Sequence, residues 1–229
     1  MHLVFKRGRW EGDSFVYDLA EMDLRSGVIT MLTNDAKEES MPCYAADGSC
    51  IYYAQSDQGK TAICAYSTAD GSSRVLYEEE GIHAYYPLAS ENGLYFTRWY
   101  STEFRNDSIA CLKDVKPVML PFCDAQSDNS DPYPLQDGSL FFSSTRAGNY
   151  DLYFYDRTSV HPMETLNTEQ HELGTAYYSI ADAEKIVAST ADYLLARQTD
   201  SMNMDVNEDG VVNAFDLTIL KKMKQGLRK

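Results

Sequence analysis

The chain has 229 residues, 44% hydrophobic and 24% charged, the proportions of a folded globular protein rather than of a disordered one. Its 20 Lys and Arg face 35 Asp and Glu, a formal charge of -15, which repels phosphate backbones and anionic headgroups and argues against nucleic acid as a partner. No apolar run reaches the roughly 18 residues of a membrane-spanning helix, so no membrane insertion is expected, and the opening Met1 to Arg7 lacks the hydrophobic stretch of a secretory signal.

The 17 Tyr and 9 Phe suit strands, where flat rings pack on a pleated surface. In chain order, Leu3-Val4-Phe5, Phe15 to Leu19 and Val28 to Leu32 read as three opening strands. Fuller units follow. The turn pairs Asp47-Gly48, Asn92-Gly93, Asp137-Gly138 and Asp182-Ala183 recur every 45 residues, each preceded at the same distance by Pro42, Pro87, Pro132 or Tyr177. Asp-Gly and Asn-Gly favour tight hairpin turns. Each pair joins a tyrosine-containing strand to an apolar one: Ile51-Tyr52-Tyr53, Leu94-Tyr95-Phe96, Leu140-Phe141-Phe142 and Ile186-Val187-Ala188. Ala62 to Tyr66, Ile109 to Leu112 and Leu152 to Tyr155 supply third strands. Val75-Leu76-Tyr77, Val118-Met119-Leu120 and Thr165-Leu166 supply fourth strands.

A four-stranded unit of about 40 to 50 residues is the size of a propeller blade. The stretch Asp131 to Asp156, with its Asp131-Pro132-Tyr133-Pro134 opening, Asp137-Gly138 turn and Leu152-Tyr153-Phe154-Tyr155 strand, resembles the WD-like repeat of TolB-type β-propellers. The resemblance implies an all-β fold over residues 1–192, a small propeller of about four blade equivalents. Residues 3–32 lack a first strand and residues 176–190 supply two strands, so joining the ends closes a ring. A propeller repeat specifies a fold and leaves the ligand open.

The sequence carries little recognisable catalytic chemistry. The histidines His2, His83, His161 and His171 have no metal-ligand spacing, and no Gly-x-Ser-x-Gly, phosphate-binding or dinucleotide-binding motif occurs. Asp47, Asp137 and Asp151 read as turn residues. The five cysteines contain no Cys-x-x-Cys pair, and read as buried thiols with Cys43 and Cys50 a candidate disulfide. Against the overall acidity, the connections after each second strand hold Arg9-Trp10, Arg98-Trp99-Tyr100 and Arg146. Gathered on one propeller face, they form a candidate site for an acidic saccharide or a peptide, with indoles stacking and arginines pairing to carboxylates. The alternative is that these arginines brace turns and the tryptophans cover sheet ends.

Residues 193–204 read as a linker. Beyond it, Asp205, Asn207, Asp209, Asn213 and Asp216 place oxygen ligands at loop positions 1, 3, 5, 9 and 12, with Gly210 at position 6. Calcium is a hard cation that takes oxygens from alternate positions, Val211 adding its carbonyl, and glycine allows the reversal midway. Leu217 and Leu220 then share a helical face. Residues 205–229 resemble the loop-helix repeat of type I dockerins, of which that family carries two copies and this stretch shows one. The resemblance implies calcium at Asp205, Asn207, Asp209, Val211, Asn213 and Asp216, and a cohesin-type scaffold partner read by Ala214, Phe215, Lys221 and Lys222. The expected function is a non-catalytic binding or interaction module anchored to a cellulosome-like assembly, hence secreted. Two alternatives stand beside it: a propeller-fold lyase or hydrolase degrading polysaccharide and carrying a dockerin, and a TolB-like envelope protein gripping a peptide.

Overall fold

The structure, a computed structural model, describes residues 2–100, 106–113 and 116–176. The chain divides into two units, Met1–Thr175 and Ala176–Lys229, and the fold described is that of the first. The expected strand Ile186-Val187-Ala188, the linker and the calcium loop lie outside the described residues.

Four antiparallel meander sheets follow one another along the chain. β1 (His2–Glu11), β2 (Ser14–Asp23) and β3 (Ile29–Met31) form a sheet of three strands among the described residues. β4 (Glu38–Tyr44), β5 (Cys50–Asp57), β6 (Lys60–Ser67) and β7 (Ser73–Glu78) form the second, and β8 (Ile82–Ser90), β9 (Gly93–Tyr100), β10 (Ser108–Lys113) and β11 (Lys116–Met119) the third. β12 (Asn129–Pro134), β13 (Leu140–Ser144), β14 (Asp151–Tyr155) and β15 (Val160–Pro162) complete the fourth. Each sheet packs on the next, and β4, β8 and β12, the leading edges of their sheets, are neighbours in series. This is the blade arrangement of a propeller.

The core lies between sheets because residues two apart on a strand share a face. Ile51 and Tyr53 of β5 turn towards Leu19 of the preceding sheet. Leu94 and Phe96 of β9 turn towards Ala54 and Ile63. Leu140 and Phe142 of β13 turn towards Tyr95 and Ile109. Tyr53, Phe96 and Phe142 are the largest wholly buried side chains. Burying one such ring contributes about 1.5–3 kcal/mol, so the apolar-x-aromatic signature of every second strand is the main adhesive of every seam. The last strands β3, β7, β11 and β15 face solvent over most of their length.

Turn chemistry agrees with the sequence at Asp47 and Asp137, whose Oδ1 atoms accept the N–H of Ser49 at 3.0 Å and of Ser139 at 2.9 Å. The Ser49 N–H at Asp47, and the Ser139 hydroxyl with its N–H at Asp137, hold both carboxyls below the usual carboxylate range. Asp151 departs from expectation. It is no turn residue but opens β14 opposite Ser144, buried at 8% exposure, because the β13–β14 turn ends earlier, at Tyr150. The fourth strand of the last sheet also departs: β15 is Val160–Pro162, and Thr165-Leu166 lies in the turn beyond it. The Asp156 carboxylate accepts the N–H groups of Thr158 and Ser159 at 2.8 and 2.7 Å. This closes the hairpin early and presents Val160 to Tyr155 at once.

Candidate functional site

The first strand of each complete sheet is broken at the same place. The β4–β5 ladder shifts register between Ser40 and Cys43, β8–β9 between Tyr85 and Leu88, and β12–β13 between Ser130 and Tyr133. Each shift leaves two residues outside the pairing: Met41-Pro42, Tyr86-Pro87 and Asp131-Pro132. Proline cannot donate to a ladder and is confined to bulges and edges, so the prolines at the 45-residue period specify the breaks. Met41, Tyr86 and Asp131 adopt φ of 53°, 51° and 52°, a left-handed conformation that non-glycine residues rarely occupy and that the following proline further disfavours. Such strain persists only where the surroundings enforce it, and it gathers at ligand sites.

The three bulges meet at a cavity of about 460 Å³, closed on a further side by Leu173, Gly174 and Thr175. The Gly174 N–H donates to Ser143 Oγ at 3.0 Å, which ties that segment to the fourth sheet. The Tyr86 N–H donates to Met41 Sδ at 3.4 Å, linking two bulges one period apart. Cys43 also lines the cavity, and burial pushes its thiol up to about 11, so it stays protonated and uncharged. Cys43 and Cys50 are free thiols rather than a disulfide. They stand on neighbouring strands, Cys43 opposite Tyr52 and Cys50 opposite Ser67, not opposite each other.

The basic and aromatic residues singled out in the sequence are placed differently from expectation. Arg9 and Trp10 lie within β1 and Arg98, Trp99 and Tyr100 within β9, because those strands run on to Glu11 and Tyr100. Arg146 alone of the arginines in this set is in a loop, after β13. Arg9 Nε meets Asp18 Oδ2 at 2.5 Å and its Nη2 donates to the Asp35 carbonyl at 2.6 Å. The Asp18 hydrogen bond raises the Arg9 pKa. Arg98 Nη2 reaches Glu79 Oε2 at 3.1 Å, across the seam between the second and third sheets.

Arg146 donates to Asn129 Oδ1 at 2.7 Å and to Ser144 Oγ at 3.1 Å. Its guanidinium lies 5.8, 5.1 and 4.9 Å from the ring centroids of Phe122, Phe142 and Tyr153. Burial lowers its pKa. Trp10 is 72% exposed and packs edge-on against Phe15 at 5.1 Å, whereas Trp99 stacks on His83 at 4.3 Å. The indoles therefore sit on the first and third sheets, with the second sheet between them in the series.

The cavity was missed in sequence because its signal, a proline at fixed register, reads equally well as turn punctuation. Among the described residues no group of three His, Cys, Asp or Glu is placed to hold a metal ion, and no helix is long and apolar enough to cross a membrane. The calcium ligands Asp205, Asn207, Asp209, Val211, Asn213 and Asp216, and the partner positions Ala214, Phe215, Lys221 and Lys222, lie outside the described residues. As a donor set, three carboxylates, two side-chain amides and a carbonyl are the hard oxygen ligands that calcium takes.

Comparison with known proteins places both parts of the chain. TolB from Acinetobacter baumannii matches at 20% identity and TM-score 0.52, over 64% of this chain and 37% of that chain. The putative TolB from Agrobacterium tumefaciens matches at 17% identity and TM-score 0.50, over 71% of this chain and 62% of that one. Kuenenia stuttgartiensis hydrazine synthase matches at 14% identity and TM-score 0.53, over 71% and 31% respectively. The chain spans less than two thirds of the length of each, and the likeness is one of fold. No curated protein matches the sequence. Residues 190–223 match the family model of the dockerin type I domain. The chain thus joins sheets with the fold of TolB-like propellers to a segment, residues 190–223, that matches the dockerin type I domain.

Proposed function

We propose that this protein is a non-catalytic binding module, secreted and held on a cohesin-bearing, cellulosome-like assembly by a calcium-dependent dockerin tail. The observation that carries the reading is the dockerin type I match at residues 190–223, which contains the whole oxygen-ligand series from Asp205 to Asp216. Calcium, when bound, supplies charge neutralisation for the carboxylates of Asp205, Asp209 and Asp216. Asn207, Asn213 and the Val211 carbonyl complete the set, and Ala214, Phe215, Lys221 and Lys222 contact the cohesin. The matched span, 190–223, takes in residues 193–204 as well as the expected loop and helix that begin at residue 205, so the docking segment starts before the expected linker. On the propeller, the arginines that suggested an acidic ligand face are engaged at seams and strand pairs. That supports the cavity at the three bulges, rather than that face, as the place where the module recognises its target.

Calorimetric titration of the full chain with calcium, followed by a panel of cohesins, tests the docking half. The expected result is calcium uptake and cohesin binding that vanish together on chelation or in Asp205→Ala/Asp209→Ala. Calcium uptake with no cohesin bound by any panel member overturns docking. Incubation with plant polysaccharides tests the other half: new reducing ends or unsaturated uronate products that persist in a purified, chelated sample establish an enzyme instead.

A further inference from the structure

We propose that a cleft between the second and third sheets binds a small zwitterion, an ammonium and a carboxylate carried on an apolar body, as in an amino acid with an aliphatic side chain. The proposal rests neither on docking nor on the cavity at the bulges. The cleft has a volume of about 290 Å³, and its walls are rows of side chains set by strand register. Tyr52, Ala65 and Arg74 are partners in turn across β5, β6 and β7, and directly opposed residues share a face. That face is turned towards the third sheet, because Ala54 and Ile63, each two residues along from the row, pack into the core between the two sheets. On the other side Ala89, Leu94 and Leu112 are partners in turn across β8, β9 and β10, and they belong to the same core. The register therefore gives an apolar floor, with Arg74 on the last strand of the second sheet at its edge.

Glu91 joins the lining from the β8–β9 turn. Of the two residues in that turn, Asn92 is committed to the fourth sheet, its Nδ2 donating to the Gln136 carbonyl at 2.9 Å. Gly93 keeps the turn close to β10: at φ 135° an added Cβ would lie 2.8 Å from Cys111 Sγ. Arg74 and Glu91 are the two charged residues that line the cleft, and the Tyr52 hydroxyl, pushed up to about 12 by burial, stays uncharged. Both charged residues are exposed, and neither forms a hydrogen bond or ion pair, with the other or with any described residue. Arg9, Arg98 and Arg146, by contrast, are all engaged. A purely anionic ligand gains at Arg74 and is repelled at Glu91, and a cationic one meets the reverse. A ligand carrying both charges gains a charge-assisted hydrogen bond at each, the guanidinium fork matching its carboxylate, and lays its aliphatic part on Leu94 and Leu112.

The chemistry has two sources that differ in the distance between the poles, an α-amino acid and a short peptide with both termini free. The full chain is titrated calorimetrically with leucine, with leucinamide, which lacks the carboxylate, and with N-acetylleucine, which lacks the ammonium. Leucine binds roughly tenfold or more tighter than either analogue, the factor of one charge-assisted contact. In Arg74→Gln leucine and leucinamide bind alike, and in Glu91→Gln leucine and N-acetylleucine bind alike. Both positions are exposed and unpaired, so the variants keep the wild-type urea midpoint and a lost preference is not one of folding. Leucylleucine binding tighter than leucine identifies a peptide as the source, and weaker binding identifies an amino acid. The proposal is overturned if the three leucine probes bind alike or not at all, or if either variant keeps the full wild-type preference.

Discussion

The first and second strands of each sheet obey opposite rules, although they are hydrogen-bonded neighbours. Second strands are regular: Ile51 and Tyr53, Leu94 and Phe96, Leu140 and Phe142 repeat one buried face and contribute the seam cores. First strands are irregular at the same register in all three complete sheets, with a left-handed residue and a proline displaced from the ladder. Stability and recognition are therefore carried by different strands of each sheet. The seams hold sheets together by packing, and the leading edges give up pairing to shape a cavity.

The sharpest way to break this comparison is to cut one side chain from each kind of strand. Phe142 is wholly buried, stacked on Phe122 at 4.4 Å and covered by Arg146. Its replacement by Ala removes the ring and leaves a void, and destabilises the protein by about 3–5 kcal/mol, read as a drop in the urea midpoint. Tyr86 is 43% exposed at φ 51°. Tyr86→Gly loses little packing and relieves the left-handed strain, so stability stays within about 1 kcal/mol of wild type. Equal losses at the two positions mean that the bulges carry the fold as the seams do.

A second test concerns charge buried beside a seam. Glu39 is the second residue of β4, at 0% exposure. It accepts a hydrogen bond from Thr33 Oγ1 at 2.9 Å, and Thr33 in turn accepts the Leu19 N–H at 2.8 Å, so the carboxyl is tied to the preceding sheet. Burial pushes its pKa up to about 7 from an ordinary 4.5. A carboxyl raised on folding favours the folded state most fully below its unfolded pKa, and that contribution is lost as pH rises through the folded value. Stability therefore falls between about pH 4.5 and pH 7. Glu39→Gln removes that slope and is more stable than wild type at pH 8 by on the order of 2 kcal/mol, measured as urea midpoints across the range.

What the sequence discloses follows from the range of the interactions involved. The 45-residue period, the Asp-Gly turns and the apolar-x-aromatic strands are local patterns, and the sheets form where they indicate. The opening sheet shows three strands among the described residues, at the three stretches that the sequence marks. Thr165-Leu166 misleads because two apolar-flanked residues carry no register, while the Asp156 hydrogen bonds that close the hairpin earlier are invisible in composition. The arginines mislead for another reason. Arg98 pairs 19 residues back across a seam and Arg146 pairs 17 residues back with the first strand of its own sheet, and partners at that separation exist only once the strands have come together. The cavity was half legible: Pro42, Pro87 and Pro132 fix its register, but the positive φ of the residue before each and their convergence are properties of three strands at once.

Two arginines differ in how they are held, Arg98 by an ion pair and Arg146 by rings and neutral acceptors. Arg98 meets Glu79 at 3.1 Å, and the Glu79 side chain is 49% exposed. Solvent screens such a pair, so Arg98→Ala costs about 0.2–1 kcal/mol, and the loss shrinks as salt is added. Arg146 faces neutral acceptors and three rings instead. Little of its contribution is a screened charge pair, and removing it leaves Asn129 Oδ1, wholly buried, with the Ser144 hydroxyl as its remaining donor. Arg146→Ala therefore costs about 2 kcal/mol, through lost cation–π contact and the weakened buried acceptor. That loss is nearly the same in low and high salt. Urea midpoints of both variants at two ionic strengths decide the matter: a salt-sensitive Arg146 loss shows that its partner is an anion and that the rings only shelter it.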